Sequence, residues 1–233
     1  PANYVEIRKS LHELAAFEDV VQDGRVQSGV AGLWFSETAD IWDDNRHPFA
    51  AVKAFPQGDT APEVWILGSS DYGAQVAALF GLPYCYAWFF SDGAGGERAI
   101  KLYKEKYRPS ARHPEPRSGL CVWALAAETM EEAQYHFTSR ALSRMNRDRG
   151  ILVPLDAPDA AAKALEAYDQ GRVERFRRDS FVGTGPEVAA RIEELKNQVG
   201  VDEMAVVTWT YDEDVRRASY THLARAMGFA PKS

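Results

Sequence analysis

The sequence predicts an α/β protein with a parallel sheet, because short apolar runs alternate with segments of helical spacing from residue 62 onward. Four of these runs are continuously apolar, as is typical of parallel strands buried on both faces. The helical segments between them are long enough to form right-handed crossovers. With 233 residues, of which 45% are hydrophobic and 26% charged, the chain has the balance of one globular domain.

The first 61 residues lack this repeat. Apolar residues at three- and four-residue intervals predict an opening helix over Tyr4–Phe17. The segment after it mixes aromatic residues with acids, Asn and Pro at no clear period, and we predict irregular structure there with a short strand at Val30–Phe35. We therefore divide the chain into an N-terminal segment, 1–61, and a β/α region, 62–233.

The β/α region opens with two strand-and-helix units. The run EVWILG predicts a strand that ends at Gly68, and helical spacing follows over Asp71–Leu82. The run LPYCYAWFF predicts a second strand, which ends at the glycine-rich segment SDGAGG. Helical spacing resumes over Glu97–Tyr107.

A third unit and an insertion follow. GLCVWALAAET predicts the third strand, and MEEAQYHFTSRALSRM predicts its helix, with Thr129 as the N-cap and Glu131 and Glu132 at the positive end of the helix. Residues 146–180 are rich in Pro, Asp and Arg and break the repeat. We predict an insertion there that contains one helix, Ala157–Tyr168.

The repeat returns after the insertion. Pro186 at a first helical position and Gly200 beyond the last turn bracket a helix. EMAVVTWT predicts the fourth strand, and a last helix over Glu213–Met227 is capped by Asp212. We count four strands firmly, and at most six.

Composition and charge exclude several classes of function. A net charge of -7 and a pI near 5.3 disfavour binding to nucleic acid or to an anionic membrane. Charged residues near the N-terminus and the lack of a long apolar run indicate a cytoplasmic protein without a membrane span. Cys85 and Cys121 lie in apolar runs, as free thiols do in a reducing compartment. The five histidines show no metal-ligand spacing, so we expect no metal site.

The segment GSSDYG is the most informative local feature of the sequence. It lies where the first predicted strand ends and a helix begins. Glycines there let backbone N–H groups approach an anion, Ser69 and Ser70 add hydroxyl donors, and the helix dipole favours negative charge. The turn is a candidate phosphate site. The alternative is an ordinary tight turn in which Asp71 caps the helix.

Several segments, taken in order, resemble the luciferase-like flavin monooxygenases. They are VWILGSSDYGAQVAALFGLPYCYAWFF, KLYKEKYRPSARHPEP, SGLCVWALAAETMEEAQ, SFVGTGPEVAARIEEL and GVDEMAVVTWTYDEDVRRASYTHLA. The resemblance spans Pro62–Met227 and corresponds to the C-terminal half of such a protein. It implies a TIM-barrel-type (β/α) fold and an enzyme in which reduced FMN and O₂ oxidise a small organic substrate.

The resemblance also implies a cofactor, partners and site residues. FMN is expected in preference to a deazaflavin, with a flavin reductase as its supplier and a homo-oligomer as the assembly. Trp88, at the end of the second predicted strand, matches a position that often faces the flavin ring, although it could equally be a core residue. The residues expected to hold the flavin phosphate are Gly68, Ser69, Ser70, Tyr72 and Gly73.

The chain departs from the family in its first 61 residues. Members of the family have four β/α units before the part that this chain resembles, and these units carry a Glu-His motif and a Gly- and Arg-containing turn. We find neither motif in residues 1–61. No catalytic residue can therefore be assigned. A closed barrel of this kind needs about eight strands, so the barrel is expected to be incomplete. The front half is absent, or a partner chain supplies it, or the remainder has rearranged.

Two further functions therefore stay open. The chain could be a non-catalytic flavin- or ligand-binding relative, or a half-barrel that assembles with a second polypeptide. Arginines flanking the insertion are interpreted as solvated helix faces, and alternatively as a mobile basic lid over an anionic cofactor. The cluster near the start of the insertion is Arg140, Arg144, Arg147 and Arg149, and the cluster near its end is Arg172, Arg175, Arg177 and Arg178.

Overall fold

The computed structural model describes residues 63–229. The helix at Tyr4–Phe17, the strand at Val30–Phe35 and the boundary at residue 61 that the sequence predicts lie outside the described residues. The described chain forms two compact units: the first comprises 63–84 and Lys101–Arg117, and the second comprises Cys85–Ile100 and 118–229.

The first unit contains a strand, a helix and the parts of two elements that continue into the second unit. These are β1 (Ile66–Gly68), α1 (Asp71–Leu79), the start of β2 (Tyr84–Tyr86) and the end of α3 (Gly96–Lys106). The pairing of β1 with β2 begins where the Ile66 N–H donates to the Pro83 carbonyl at 2.9 Å. Helix α1 buries its small face, formed by Ala74, Ala77 and Ala78.

Tyrosine hydroxyls form hydrogen bonds to loop carbonyl groups in the first unit. The Tyr103 hydroxyl donates to the Leu82 carbonyl at 3.0 Å, and the Tyr107 hydroxyl donates to the Gly81 carbonyl at 3.1 Å. Gly81 has φ of +58°, and a side chain there would lie 2.5 Å from the Arg108 carbonyl oxygen. Helix α1 therefore ends at Leu79, before the predicted end at Leu82, because only glycine fits this left-handed position.

The second unit is built on β3 (Ser118–Ala127), whose ten residues are all buried. Its first half pairs in parallel with β5, from Gly119 opposite Glu203 to Trp123 opposite Val207. Its second half pairs in parallel with β4, with Ala127 opposite Thr184. The other elements are α2 (Trp88–Ser91), α4 (Met130–Asp148), α5 (Pro158–Leu165), α6 (Gln170–Asp179), β4 (Phe181–Thr184), α7 (Gly185–Val199), β5 (Glu203–Val207) and α8 (Glu213–Ala226).

Polar side chains of neighbouring segments accept hydrogen bonds from the backbone of β3. The backbone N–H of Ser118 donates to a carboxylate oxygen of Asp202 at 2.8 Å. Near the other end, the Ala126 N–H donates to the Ser219 hydroxyl at 2.9 Å, and this bond is fully buried. Both bonds satisfy backbone groups that the neighbouring strands leave without a partner.

Three predicted helix caps are confirmed. The Thr129 hydroxyl accepts from the Glu132 N–H at 3.1 Å, and Asp212 accepts from the Asp214 N–H at 2.7 Å. Gly200 ends α7 in the left-handed conformation, with φ of 69°. These caps could be predicted from the sequence because each one depends only on backbone N–H or carbonyl groups at its own helix end.

The structure corrects four sequence predictions about the elements. The second strand ends at Tyr86 rather than continuing through LPYCYAWFF, and its last residues form α2. Strand β4 was not predicted, because it has four residues and includes a glycine. The insertion contains two helices, because α6 buries only Val173 and so gives a weak periodic signal. The fourth predicted strand, EMAVVTWT, ends at Val207.

The parallel α/β class is confirmed, but the expected burial of all strands is not. In β1, Leu67 is 57% exposed, and β5 is likewise only partly buried. Among the described residues there are five strands, one more than the firm count from the sequence. No helix of the described residues is long and apolar enough to cross a membrane.

We expect Ser219→Ala to destabilise the protein by about 1–3 kcal/mol, because it leaves the buried Ala126 N–H without an acceptor. Thr221→Ala, on the exposed face of the same helix, should change the free energy of unfolding by no more than about 0.5 kcal/mol. Urea unfolding followed by circular dichroism measures both values. Equal losses for the two variants would contradict the assignment.

Candidate functional site

The predicted phosphate turn joins β1 to α1 in the first unit. Ser69 and Ser70 are exposed, and α1 begins at Asp71 with Ser70 in an extended N-cap conformation. The N-cap position belongs to Ser70, whose side chain makes no capping hydrogen bond, and Asp71 is the first residue of the helix. Anion sites at helix N-termini use this order of strand, turn and helix, which ordinary tight turns share.

Close backbone packing shapes this turn. A Cβ atom on Gly68 would lie 3.5 Å from the Gly73 Cα and 3.7 Å from the ring of Tyr84. The Tyr84 hydroxyl donates to the Ser70 carbonyl at 3.2 Å and lies 3.4 Å from the Gly68 carbonyl. These contacts hold the carbonyl groups of the turn against Tyr84. The exposed serine hydroxyls and the N-terminal N–H groups of α1 are the donors that an anion could use, whereas the Asp71 carboxylate opposes it.

Trp88 lies in the second unit and opens α2 instead of ending a strand. Its indole covers the glycine turn that follows: a Cβ on Gly93 would lie 2.2 Å from the ring, and one on Gly96 would lie 2.7 Å from it. Tyr86 packs edge-on against the indole, with ring centroids 6.2 Å apart. The glycines of SDGAGG thus create the surface on which Trp88 rests.

A cavity in the second unit is lined by Trp88 and Arg140, among others. The space between its lining residues measures about 360 Å³ and is partly open to solvent. Five aromatic side chains form the walls: Trp88, Phe89, Trp123, Phe176 and Phe181. The polar lining consists of Asp92, Arg140, Asp179 and Ser180.

Arg140 is a buried cation with incomplete hydrogen bonding. Only 2% of the residue is exposed, and Nη2 lies 3.4 Å from the Phe89 carbonyl oxygen. Its Nε and Nη1 have no hydrogen-bond partner among the described residues. The guanidinium lies over the rings of Trp209 at 4.6 Å and Trp123 at 5.3 Å. Burial lowers the pKa of Arg140 to about 10, which leaves it charged at neutral pH.

The interpretation of the arginine clusters as solvated faces is therefore wrong for Arg140. Of the others, Arg144 is partly buried and pairs with Asp92 at 2.6 Å, whereas Arg172 is exposed and pairs with Asp148. A signal for Arg140 was present in the sequence, because it lies three residues after Phe137 on the apolar face of α4.

A second cavity lies at the carboxyl ends of two parallel strands, where ligands commonly bind in α/β proteins. It measures about 350 Å³. Glu187 already occupies the N-terminus of α7, because its carboxylate accepts from the Thr184 N–H at 2.9 Å, and these hydrogen bonds lower its pKa. A negatively charged ligand would compete with Glu187 there. The lining residues are Ala127, Glu128, Thr184, Gly185, Pro186, His222, Arg225 and Ala226.

The two cysteines are free and poorly suited to nucleophilic chemistry. Burial raises the pKa of Cys85 to about 12 and also raises the pKa of Cys121. Both thiols are therefore protonated at neutral pH, and the thiol is the unreactive form.

Comparison with known proteins identifies the family. Residues 30–203 match the family model described as luciferase-like monooxygenase. The chain belongs to the luciferase-like monooxygenase family. The match begins before residue 62, so it includes part of the N-terminal segment, for which the sequence predicts irregular structure.

Individual proteins similar in sequence to this luciferase-like chain support the same family assignment. It is 34% identical over 185 residues to the uncharacterized protein YwcH of Bacillus subtilis (strain 168), covering 78% of this chain and 55% of YwcH. It is 30% identical over 184 residues to a luciferase-like monooxygenase of Escherichia coli (strain K12), covering 77% of this chain and 53% of that protein. The chain thus spans about half the length of these curated relatives.

A solved structure is similar in fold. The crystal structure of apo-MsnO8 superposes with a TM-score of 0.68 at 26% identity, covering 87% of this chain and 64% of that chain. The resemblance to luciferase-like proteins that the sequence predicted is therefore confirmed, together with its α/β fold.

We expect Gly96→Ala to destabilise the protein by about 1–3 kcal/mol, because the added methyl group overlaps the Trp88 indole. Gly171→Ala, within α6, serves as the control and should be neutral or stabilising, since alanine favours helix more than glycine does. Urea unfolding monitored by tryptophan fluorescence measures the difference. A Gly96→Ala protein as stable as the wild type would show that Trp88 does not rest on the glycine turn.

Proposed function

We propose that this chain binds FMN by its phosphate at the turn between β1 and α1 and forms part of a flavin-dependent monooxygenase. The observation that carries the proposal is the arrangement of Ser69 and Ser70, exposed at the end of β1 where the nine-residue helix α1 begins. A helix N-terminus with adjacent hydroxyl donors is a general solution for holding phosphate. Family membership supplies the chemical context.

The residues of the turn fit a phosphate group. Gly68 and Gly73 carry no side chain that could cover the backbone, and the hydroxyl of Tyr84 holds the Ser70 carbonyl at 3.2 Å. Two serine hydroxyls offer donors without adding charge. Asp71 opposes the phosphate, so the site relies on the helix dipole and on directed hydrogen bonds.

Within this proposal Tyr72 and Trp88 have different roles. Tyr72 is 59% exposed and stands beside the serines, where its backbone N–H belongs to the first turn of α1. Trp88 is half-buried and packs on Gly93 and Gly96, and its proposed role beside a flavin ring rests on the family resemblance. A fixed aromatic wall orients a planar cofactor at little entropic cost.

The remaining parts of the proposal concern the reaction. Bound reduced flavin would supply the oxygen chemistry, and the protein would bind, orient and shield the reactants from water. A small organic molecule and O₂ would be the substrates, a flavin reductase would supply the reduced cofactor, and a homo-oligomer would be the assembly. FMN is proposed in preference to a deazaflavin because of the resemblance of the Gly-Ser-Ser-Asp-Tyr run to the family.

Comparing FMN with riboflavin isolates the contribution of the phosphate, since riboflavin lacks only that group. We expect FMN to bind at least about tenfold more tightly than riboflavin in a flavin-fluorescence titration. Ser70→Glu should weaken FMN about tenfold or more and leave riboflavin unchanged, because its carboxylate repels the phosphate. Gln75→Glu, one turn further along α1, is the control and should retain the preference for FMN.

The outcomes separate the candidate functions. Equal affinity for FMN and riboflavin would exclude phosphate binding at the turn, and an F₄₂₀-type deazaflavin that bound more tightly than FMN would exclude the choice of FMN. Substrate-dependent O₂ consumption with reduced FMN would support the monooxygenase. FMN binding without turnover by the chain alone would favour the non-catalytic relative.

A further inference from the structure

We propose that the Arg140 cavity of the second unit is a binding site for a monoanionic aromatic carboxylate. Its carboxylate would accept hydrogen bonds from Arg140 and Trp123, and its ring would lie among the aromatic walls of the cavity. The observations behind this proposal lie within the second unit and do not involve the phosphate turn, although Trp88, proposed above to face the flavin ring, forms one wall of the cavity.

The first observation is a set of buried donors without acceptors. Nε and Nη1 of Arg140 and Nε1 of Trp123 are buried and have no hydrogen-bond partner among the described residues, and both residues line the same cavity. Arg140 is 2% exposed and Trp123 is 5% exposed. Buried donors in proteins are almost always paired, so three unpaired donors around one cavity indicate a missing acceptor.

The second observation is that no carboxylate of the described residues forms a direct ion pair with Arg140, although the charge of Asp92 acts on it. Asp92 lines the cavity, but its carboxylate pairs with Arg144 at 2.6 Å. Asp179 also lines the cavity and pairs with Arg178 at 3.0 Å. Aromatic faces stabilise the guanidinium from Trp209 and Trp123, but a ring face cannot accept a hydrogen bond as a carboxylate does. An anion would therefore complete the site.

The walls of the cavity favour an aromatic ligand. The space between its lining residues measures about 360 Å³ and is partly open to solvent, so it has room for one ring beside the carboxylate. Phe89, Phe176 and Phe181 are half-buried there, so each retains exposed apolar surface for stacking.

The charges at the rim select a monoanion. Asp92 and Asp179 line the same cavity as Arg140, and each would repel a second negative charge on the ligand. Burial raises the pKa of Asp92, while the charges of Arg144 and Arg140 oppose that rise. A phosphate dianion would meet more repulsion than a carboxylate that carries one charge.

Benzoate is the probe for this site, with benzamide as its neutral counterpart of similar shape. Isothermal titration calorimetry on the full chain should give an affinity for benzoate at least tenfold higher than for benzamide. Cyclohexanecarboxylate has the same charge but no aromatic ring, and it should bind more weakly than benzoate. Inorganic phosphate should bind more weakly than benzoate as well.

Arg140→Met tests the role of the guanidinium. Methionine keeps an unbranched apolar side chain of similar length, and replacing a buried charge by an apolar group is often tolerated. We expect this variant to lose at least nine-tenths of its affinity for benzoate and to bind benzoate and benzamide equally. Arg149→Met is the matched control: Arg149 lies 3.8 Å from the ring of Tyr168 outside the cavity, and its loss should leave benzoate binding unchanged.

Two further variants keep the proposal testable if Arg140→Met fails to fold. Trp123→Phe retains a ring but removes the indole N–H, and should weaken benzoate several-fold. Asp179→Asn removes a repelling charge from a largely exposed side chain, and should strengthen benzoate about two- to fivefold. Benzoate that binds no better than benzamide, unchanged binding by Arg140→Met, or phosphate that binds more tightly than benzoate would each overturn the proposal.

Discussion

Both faces of β3 are covered, and the second unit depends on this burial. Each of the ten residues is buried, so each backbone N–H and carbonyl group requires a partner. The first half finds partners on β5 and the second half on β4, while the Ala126 N–H uses the hydroxyl of Ser219. One long strand therefore sets the positions of two cavities, since Trp123 lines the first and Ala127 lines the second.

The environment of Arg140 follows from the same constraint. Trp123 is fixed by β3 and packs against Phe137 of α4, with ring centroids 5.7 Å apart, which brings this helix close to the strand. Arg140 lies one turn further along α4, and its guanidinium is enclosed by aromatic rings instead of water. A cation in such surroundings carries a desolvation cost of several kcal/mol, which cation–π contacts of about 2 kcal/mol offset only in part. An acceptor in the cavity would offset more of it.

Long periodic segments and local caps were predictable from the sequence, and short or exceptional features were not. β3, α4 and the cap at Thr129 follow from patterns that extend over ten or more residues or from chemistry at a single helix end. Strand β4 has only four residues, and α6 has one buried side chain, so neither produces a clear period.

Only part of the candidate site could be predicted from the sequence. The phosphate turn could be located because Gly and Ser residues between a strand and a helix are typical of anion-binding turns. The sequence does not show which other groups fold near this turn. Trp88 was assigned to a strand because an apolar run alone does not distinguish a strand from a short helix. An arginine is usually exposed, so the sequence predicts a solvated Arg140 like its neighbours. Arg140 is buried because it lies on the apolar face of α4.

The two candidate anion sites also differ in how they would recognise charge. At the turn after β1, the donors are exposed hydroxyls and helix N–H groups, which carry partial charges of about half a unit together and remain in contact with water. Water screens repulsion there, so a phosphate can be held beside Asp71. In the Arg140 cavity a full positive charge is buried, and Asp92 lines the same cavity. Burial thus makes the cavity sensitive to the number of charges on a ligand, whereas the exposed turn depends on the geometry of its donors.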